Sequence, residues 1–280
     1  MAIGTSMPEL MITVTSARKE NVDLIIGNAI GSNFCNLLLI LGIMSVINPV
    51  KIDKDTRKFH LPVAIFSALI ILSMGTNMFR TNVNTIGLYS GLTLIFMFLI
   101  YFAYPIFVEI KDIMDNYKNK ELGNKINVLM CIFNIIIGVV LLKFGGDFVV
   151  DNSIKIATML NVSQTIIGMT IIAVGTAMPE LITSIVATIK KDSDLAIGNL
   201  VGSCALNLFL ILGIGALITP LTFSAEFNLS LILLAVATAI IWLLNFMGKK
   251  HTITRTKGFG LMCMYAMYMV YLIKIDNFIK

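Results

Sequence analysis

The sequence predicts an all-α polytopic membrane protein whose transmembrane helices form two repeats of inverted topology. Of its 280 residues, 57% are hydrophobic and only 13% are charged, and the mean hydropathy is +0.90. Such values are typical of proteins whose main solvent is lipid. The apolar residues form nine candidate spans separated by short polar loops, at 1–17, 22–47, 59–79, 83–107, 127–148, 163–189, 194–218, 228–247 and 257–275.

The prediction of two repeats depends on an internal match. When the chain is shifted along itself by 171 residues, 1–50 align with 172–221 without a gap, and about half of the positions are identical. The matching segments are five spans apart, and an odd number of crossings gives two repeats in series opposite orientations. We therefore predict a first repeat at 1–107, a linker loop at 108–126 and a second repeat at 127–280.

The two predicted repeats differ in length, since the first contains four spans and the second contains five. Met1 aligns with Ile172, so the first repeat has no equivalent of residues 127–171. The segment 1–17 is also short for a helix that crosses about 30 Å of hydrocarbon. The sequence thus predicts an N-terminally truncated chain that lacks a first helix and the start of the second. A natural nine-span variant is the alternative.

The distribution of basic residues predicts the orientation in the membrane. The loops 48–58, 108–126, 190–193 and 248–257 contain 14 Lys and Arg residues, whereas the opposite side contains 6 when the intraspan Lys143 is left out. The positive-inside rule places the basic loops in the cytoplasm. The net charge of +5 is therefore a topology signal, and we expect a multi-pass protein of the plasma membrane that does not bind nucleic acid.

A carboxylate lies within an apolar span of each repeat, in the phrases GTSMPEL and GTAMPEL. A charge at this depth is costly and normally faces a cavity, a partner or a permeant ion. No Lys or Arg occurs in the aligned spans to neutralise Glu9 and Glu180. The prolines Pro8 and Pro179 leave the carbonyl four residues back without its helical partner. Such open backbone is tolerated at membrane depth where it lines a cavity, so we expect a cation site.

The next span of each repeat contains further oxygen ligands. Ser32 and Asn36 lie four residues apart and so share one helix face, as do Ser203 and Asn207. With two carboxylates and no Cys or His pair, this inventory suits a hard cation, Ca²⁺ or Na⁺, rather than Zn²⁺ or Cu⁺. Two Glu charges match one divalent ion.

Two more amides follow glycines in these spans, and we interpret them differently. Asn28 and Asn199 lie eight residues, about two helical turns, before Asn36 and Asn207. We assign them to helix packing or capping and exclude them from the ligands.

The two GT[SA]MPE phrases, each followed 27 residues later by the Asn of GSxxxN, resemble the paired α-repeats of the sodium/calcium exchanger family. The resemblance implies ten helices in two inverted halves, a site at the membrane midplane and alternating access, with no cofactor and no enzymatic activity. It implies a central site at Glu9, Asn36, Glu180 and Asn207, with Ca²⁺ also bound by the carbonyls of Thr5 and Thr176. It implies flanking Na⁺ positions at the Ala2 carbonyl, Ser6 and Ser32, and at the Ala173 carbonyl and Ser203.

Two positions depart from the family pattern. Ala177 occupies a position where Ser is usual, and Asn207 occupies one where several members have Asp. Fewer hydroxyl ligands and only two formal charges keep H⁺ open as the counter-ion, with either glutamate as the proton carrier. A Ca²⁺/H⁺ antiporter and a transport-incompetent fragment are therefore the alternatives to a Ca²⁺/Na⁺ antiporter. The oligomeric state is not predicted.

Overall fold

The computed structural model describes residues 1–76, 84–116, 128–246 and 251–279. Within these ranges the chain forms nine helical elements, two of them broken into halves. They are α1a (Ala2–Thr5), α1b (Met7–Arg18), α2 (Val22–Ile47), α3 (Thr56–Gly75), α4 (Leu88–Asn116), α5 (Val128–Leu160), α6a (Gln164–Thr176), α6b (Met178–Ile189), α7 (Ser193–Ile218), α8 (Ala225–Leu244) and α9 (Arg255–Ile279).

Each of the nine predicted spans overlaps one of these elements, and the predicted all-α polytopic class is confirmed. Among the described residues, five helices are long and apolar enough to cross a membrane, and the bent pair α6a and α6b is a sixth. In these ranges the other predicted spans overlap α1, α4 and α5.

The structure corrects the predicted linker loop at 108–126. Helix α4 continues to Asn116, so residues 108–116 are helical, and residues 117–126 lie outside the described residues. Residues 108–116 contain no Gly or Pro to end the helix, so helix formation continues past the apolar span. Helix α5 likewise continues beyond the predicted end at 148, to Leu160, and Lys19 of the preceding repeat pairs with Asp151 on it.

The helix breaks lie where the prolines predict them. Ser6 separates α1a from α1b and Ala177 separates α6a from α6b, with ψ angles of 11° and 2°. Pro8 and Pro179 are in the first turn of the second halves, where a missing N–H costs nothing. The axes of α6a and α6b differ in direction by 43°.

Segments of π-helix occur in the helices next to these breaks. They are Cys35–Ile40 in α2, Asn207–Ile211 in α7 and Gly168–Ile172 in α6a. A π-helical turn shifts the backbone hydrogen bonds by one residue and is frequent at functional sites. Two of the three segments contain a predicted ligand, Asn36 or Asn207.

Two short β-ribbons join the repeats, and each ribbon pairs a strand of one repeat with a strand of the other. β1 (Val50–Lys51) pairs antiparallel with β4 (Thr252–Ile253), and β2 (Thr85–Ile86) pairs antiparallel with β3 (Leu221–Thr222). β1 and β3 are equivalent in the aligned repeats. Each ribbon therefore contains one strand from each half, as expected for two halves related by a two-fold axis.

Two close helix crossings show the same exchange where sequence similarity has faded. A Cβ on Gly258 of α9 would lie 2.8 Å from the carbonyl oxygen of Gly42 in α2, and one on Gly91 of α4 would lie 3.0 Å from that of Gly213 in α7. Gly42 and Gly213 are equivalent in the aligned repeats. The structural repeat therefore extends through α4 and α9. Because the equivalent helices are an odd number of elements apart, the axis relates halves of opposite orientation.

We expect Gly258→Ala to destabilise the protein and Gly260→Ala, two residues further along α9, to be neutral or slightly stabilising. A Cβ added at Gly258 would lie 2.6 Å from the Cβ of Ser45, an overlap that costs about 1–3 kcal/mol, whereas a Cβ at Gly260 meets no atom within 4 Å. Thermal unfolding in detergent measures the difference. Equal melting temperatures for the two variants would contradict the close crossing of α2 and α9.

Candidate cation site

The two helix breaks and two of the π-helical segments bring the central residues together. Helix half α1b, which contains Glu9, contacts the π-helical segment of α7 that begins at Asn207. Helix half α6b, which contains Glu180, contacts the π-helical segment of α2 that includes Asn36. All four side chains are 0% exposed. Each broken helix thus contacts the π-helical segment of the other repeat.

The Glu180 carboxylate is held by hydroxyl groups from both repeats. Its Oε1 accepts hydrogen bonds from Ser6 at 3.0 Å and from Ser203 at 3.3 Å. The two hydroxyl oxygens also lie 3.1 Å apart, and because each hydroxyl has one hydrogen, this contact and the two bonds to Glu180 are not all made at once. Its Oε2 is buried and has no hydrogen-bond partner among the described residues. One carboxylate oxygen is therefore fixed, and the other remains free to bind an ion.

The Glu9 carboxylate has a different environment. Both of its oxygens are buried, and neither has a hydrogen-bond partner in the part of the chain that the structure describes. The position equivalent to Ser6 is Ala177, which has no hydroxyl to donate. The Ser32 hydroxyl is directed instead to Asn28 Oδ1 at 3.5 Å and Thr176 Oγ1 at 3.3 Å. The two glutamates are equivalent by sequence and differ in their hydrogen bonding.

Asn28 and Asn199 connect the repeats through threonine hydroxyls. Thr176 donates to Asn28 Oδ1 at 3.1 Å, and Thr5 donates to Asn199 Oδ1 at 3.4 Å. Asn199 in turn donates to the Thr183 hydroxyl at 3.2 Å. These amides hold Thr5 and Thr176, the residues whose carbonyls the family resemblance implies as Ca²⁺ ligands. Their interpretation as packing groups understates this contact with the site.

The carbonyls of Ala2 and Ala173 already have hydrogen-bond donors within their helices. The Ala2 carbonyl accepts from Ser6 N at 3.0 Å and lies 3.2 Å from Thr5 Oγ1, whose one hydrogen it shares with Asn199 Oδ1. The Ala173 carbonyl accepts from Ala177 N at 3.1 Å and lies 3.4 Å from Thr176 Oγ1, whose one hydrogen it shares with the nearer Asn28 Oδ1. The structure places both carbonyls beside the helix breaks.

Asn33 is a buried site residue that the sequence analysis did not identify. Its amide donates to the Cys204 carbonyl at 3.2 Å and accepts from Asn207 Nδ2 at 3.1 Å. Its equivalent in the second repeat is Cys204, so the repeat comparison gave no symmetric pair to draw attention to it. The signal available in the sequence was an additional polar residue in an apolar span, one turn before Asn36.

The site presents buried oxygen atoms, and no cationic side chain among the described residues neutralises them. An unpaired carboxylate in a low-dielectric interior is strongly unfavourable, and so is an unsatisfied amide. Neither end of the Asn36 amide has an oxygen or nitrogen partner among the described residues. A hard cation relieves both costs, because it neutralises the carboxylates and accepts amide, hydroxyl and carbonyl oxygens as ligands.

The chain matches the model of the family described as sodium/calcium exchanger protein, over residues 1–107 and 130–274. The chain belongs to the sodium/calcium exchanger family. Membership places it among cation/Ca²⁺ antiporters and not in a class of enzymes.

Individual relatives match over nearly the whole chain. The sodium/calcium exchanger MaX1 of Methanosarcina acetivorans is 28% identical, over 98% of this chain and 87% of the relative. The putative antiporter CaxA of Alkalimonas amylolytica is 28% identical, over 96% of this chain and 84% of the relative. Among solved structures, the sodium-calcium exchanger NCX_Mj soaked with zero Na⁺ and Ca²⁺ is 27% identical, with a TM-score of 0.69 over 97% of this chain and 84% of NCX_Mj.

We expect Glu9→Gln to raise the melting temperature of the ion-free exchanger and to abolish its stabilisation by Ca²⁺. The substitution removes a buried charge without a partner, and it also removes a ligand. Ca²⁺ at about 100 times its Kd should stabilise the wild type by about 2.7 kcal/mol. The measurement is thermal unfolding in detergent with and without Ca²⁺, with Glu20→Gln, in the loop after α1b, as the control. A full Ca²⁺ shift in Glu9→Gln would exclude this carboxylate from the site.

Proposed function

We propose that this exchanger is a secondary active antiporter that exports Ca²⁺ in exchange for Na⁺, by alternating access to the site at Glu9 and Glu180. The observation that supports it best is the pair of buried carboxylates at equivalent positions of two inverted repeats, with no cation partner among the described residues. Their combined charge of −2 matches one Ca²⁺. The same charge can be neutralised by monovalent cations, so the two kinds of ion compete for one site.

The comparisons support the choice of ions. MaX1 is named a sodium/calcium exchanger, and NCX_Mj has been soaked with Na⁺, Ca²⁺ and Sr²⁺. The present chain shares with NCX_Mj a fold that covers 97% of its length. The all-oxygen site agrees with hard cations of this kind.

In the proposed mechanism Ca²⁺ is bound by both glutamates, by the amide oxygens of Asn36 and Asn207, and by the Thr5 and Thr176 carbonyls. Na⁺ ions would use the Ser6, Ser32 and Ser203 hydroxyls and the Ala2 and Ala173 carbonyls. Because both glutamates are needed to balance Ca²⁺, its departure exposes two charges that Na⁺ then neutralises. The conformational change is unfavourable when the site holds no ion, because the two glutamate charges would then move through a low-dielectric interior without a cation.

The inverted repeats give a structural route to alternating access. Two halves with the same fold and opposite orientations can exchange conformations, which opens the site to one side and then to the other. The broken helices at Ser6 and Ala177 are at the centre of this exchange. We place the exchanger in the plasma membrane with the basic loops 48–58, 108–126, 190–193 and 248–257 in the cytoplasm. Of these, residues 117–126 and 248–250 lie outside the described residues.

Ca²⁺/H⁺ exchange is a second candidate, and the environment of Glu9 favours it. A carboxylate without a hydroxyl partner and without the ligand that Ser would supply at 177 is a poor monovalent cation site and a suitable proton carrier. In that case Glu9 would bind H⁺ when Ca²⁺ leaves.

The transport test is Ca²⁺ uptake into proteoliposomes, driven separately by an outward Na⁺ gradient and an outward H⁺ gradient. We expect uptake with the Na⁺ gradient, none with Glu180→Gln, and normal uptake with Glu20→Gln. Uptake driven by H⁺ alone would assign the proton as the counter-ion. Wild-type uptake by Glu180→Gln would contradict the site.

We expect Ala177→Ser to lower the half-saturating Na⁺ concentration by about threefold, because it adds one hydroxyl ligand next to Glu9. Ser6→Ala removes the equivalent hydroxyl from Glu180 and should raise that concentration. The measurement is the Na⁺ dependence of Ca²⁺ flux, and an unchanged Na⁺ dependence in both variants would show that these hydroxyls do not bind the counter-ion.

A further inference from the structure

We propose that Asn33 is a positioning residue that holds the Asn207 carboxamide with its oxygen free for the cation. This inference rests on the proposed function of the site. Asn207 is an amide with one oxygen and one NH₂ group, and only the oxygen is a metal ligand. A carboxylate at this position would present an oxygen to the cation in either of its two orientations. An amide presents its oxygen in only one of them and must be held there.

The orientation follows from a chain of hydrogen bonds that ends at a backbone carbonyl. The Cys204 carbonyl can only accept, so Asn33 must direct Nδ2 to it, at 3.2 Å. The Oδ1 of Asn33 then faces Asn207 and can only accept from it, at 3.1 Å. Asn207 must therefore use Nδ2 for this bond. Its Oδ1 is left buried and without a partner among the described residues.

The Cys204 carbonyl can serve two donors because a carbonyl oxygen has two lone pairs. It accepts a short-range bond from the Asn207 backbone N–H, at the start of the π-helical segment of α7, and it also accepts from Asn33. The carbonyl that fixes the Asn207 amide through Asn33 therefore lies in the same turn of α7 as Asn207.

The first repeat has a weaker version of this arrangement. The residue equivalent to Asn33 is Cys204, whose thiol interacts with the Asn36 side chain, while no oxygen or nitrogen of the described residues bonds to the Asn36 amide. A thiol is a weak donor and a weak acceptor, so it orients an amide less strongly than the Asn33 carboxamide does. The amide of Asn207 is therefore the better oriented of the two.

Preorganisation of a ligand increases affinity by removing a conformational cost of binding. We expect Asn33→Leu to raise the KM for Ca²⁺ about 10-fold, the lower end of what outer-shell partners of metal ligands contribute, with kcat within about twofold of wild type. Asn33→Ala should behave in the same way.

Asn33→Asp should leave the KM within about twofold of wild type. A protonated Asp at this position can donate its O–H to the Cys204 carbonyl and still present an acceptor to Asn207, so the amide keeps its orientation. A purely structural role for Asn33 predicts the opposite order, because a carboxyl group costs more to bury than an apolar side chain of similar size.

The experiment is a mutant cycle that combines the Asn33 variants with Asn207→Ala, read as KM and kcat for Ca²⁺ flux and as equilibrium Ca²⁺ binding in detergent. If Asn33 acts through Asn207, then Asn33→Leu has no further effect on KM or Ca²⁺ affinity in the Asn207→Ala background. Asn33→Ala replaces Asn33→Leu in the cycle if the latter does not fold.

Several outcomes would overturn the positioning role. One is a wild-type KM in Asn33→Leu alongside a raised KM in Asn207→Ala. Another is a double variant whose KM is raised by the product of the two single-variant factors. A third is a larger KM for Asn33→Asp than for Asn33→Leu. Each leaves the proposed function intact. Absence of Ca²⁺ binding and flux in the wild type would instead remove the proposed function and the inference together.

Discussion

The structure depends on the electrostatic cost of placing two carboxylates in the membrane interior without a protein cation. Glu9 and Glu180 are fully buried and keep three unpaired oxygens among the described residues. The surrounding features reduce this cost or prepare the site for a cation. The prolines open the backbone, the π-helical segments turn Asn36 and Asn207 toward the opposite repeat, and the hydroxyls of Ser6 and Ser203 stabilise one carboxylate oxygen.

The fold is symmetric and the site within it is not. The exchanged β-ribbons and the reciprocal glycine crossings follow a two-fold relation through α4 and α9. At the site, Ser6 has Ala177 as its equivalent, and Asn33 has Cys204. Both differences give Glu180 and Asn207 of the second repeat more hydrogen bonds than Glu9 and Asn36 of the first. Two halves with the same fold can therefore differ in their affinity for ions. For this reason we expect the two glutamates to differ in how they bind the counter-ion.

Much of the fold could be predicted from the sequence, because apolar spans and prolines act locally. The spans located the helices, and Pro8 and Pro179 located the breaks. The sequence analysis missed two helical extensions, through residues 108–116 in α4 and to Leu160 in α5. A helix can continue after its apolar segment has ended, so hydropathy alone does not locate its end. The bond from Asn33 to Asn207 was missed because it depends on the register between two helices. The missing hydroxyl at Ala177 was visible in the sequence, but its effect on Glu9 follows only from the contact of Ser6 with the opposite repeat.

The central claim is that one divalent cation binds between both glutamates and the two π-helical amides. Anomalous diffraction from crystals soaked in Sr²⁺, which substitutes for Ca²⁺ as an oxygen-bound cation, tests it most directly. We predict one strong peak within about 2.3–2.7 Å of oxygens from both Glu9 and Glu180 and close to the Asn207 Oδ1. A peak bound to only one glutamate, or located away from both helix breaks, would contradict the account.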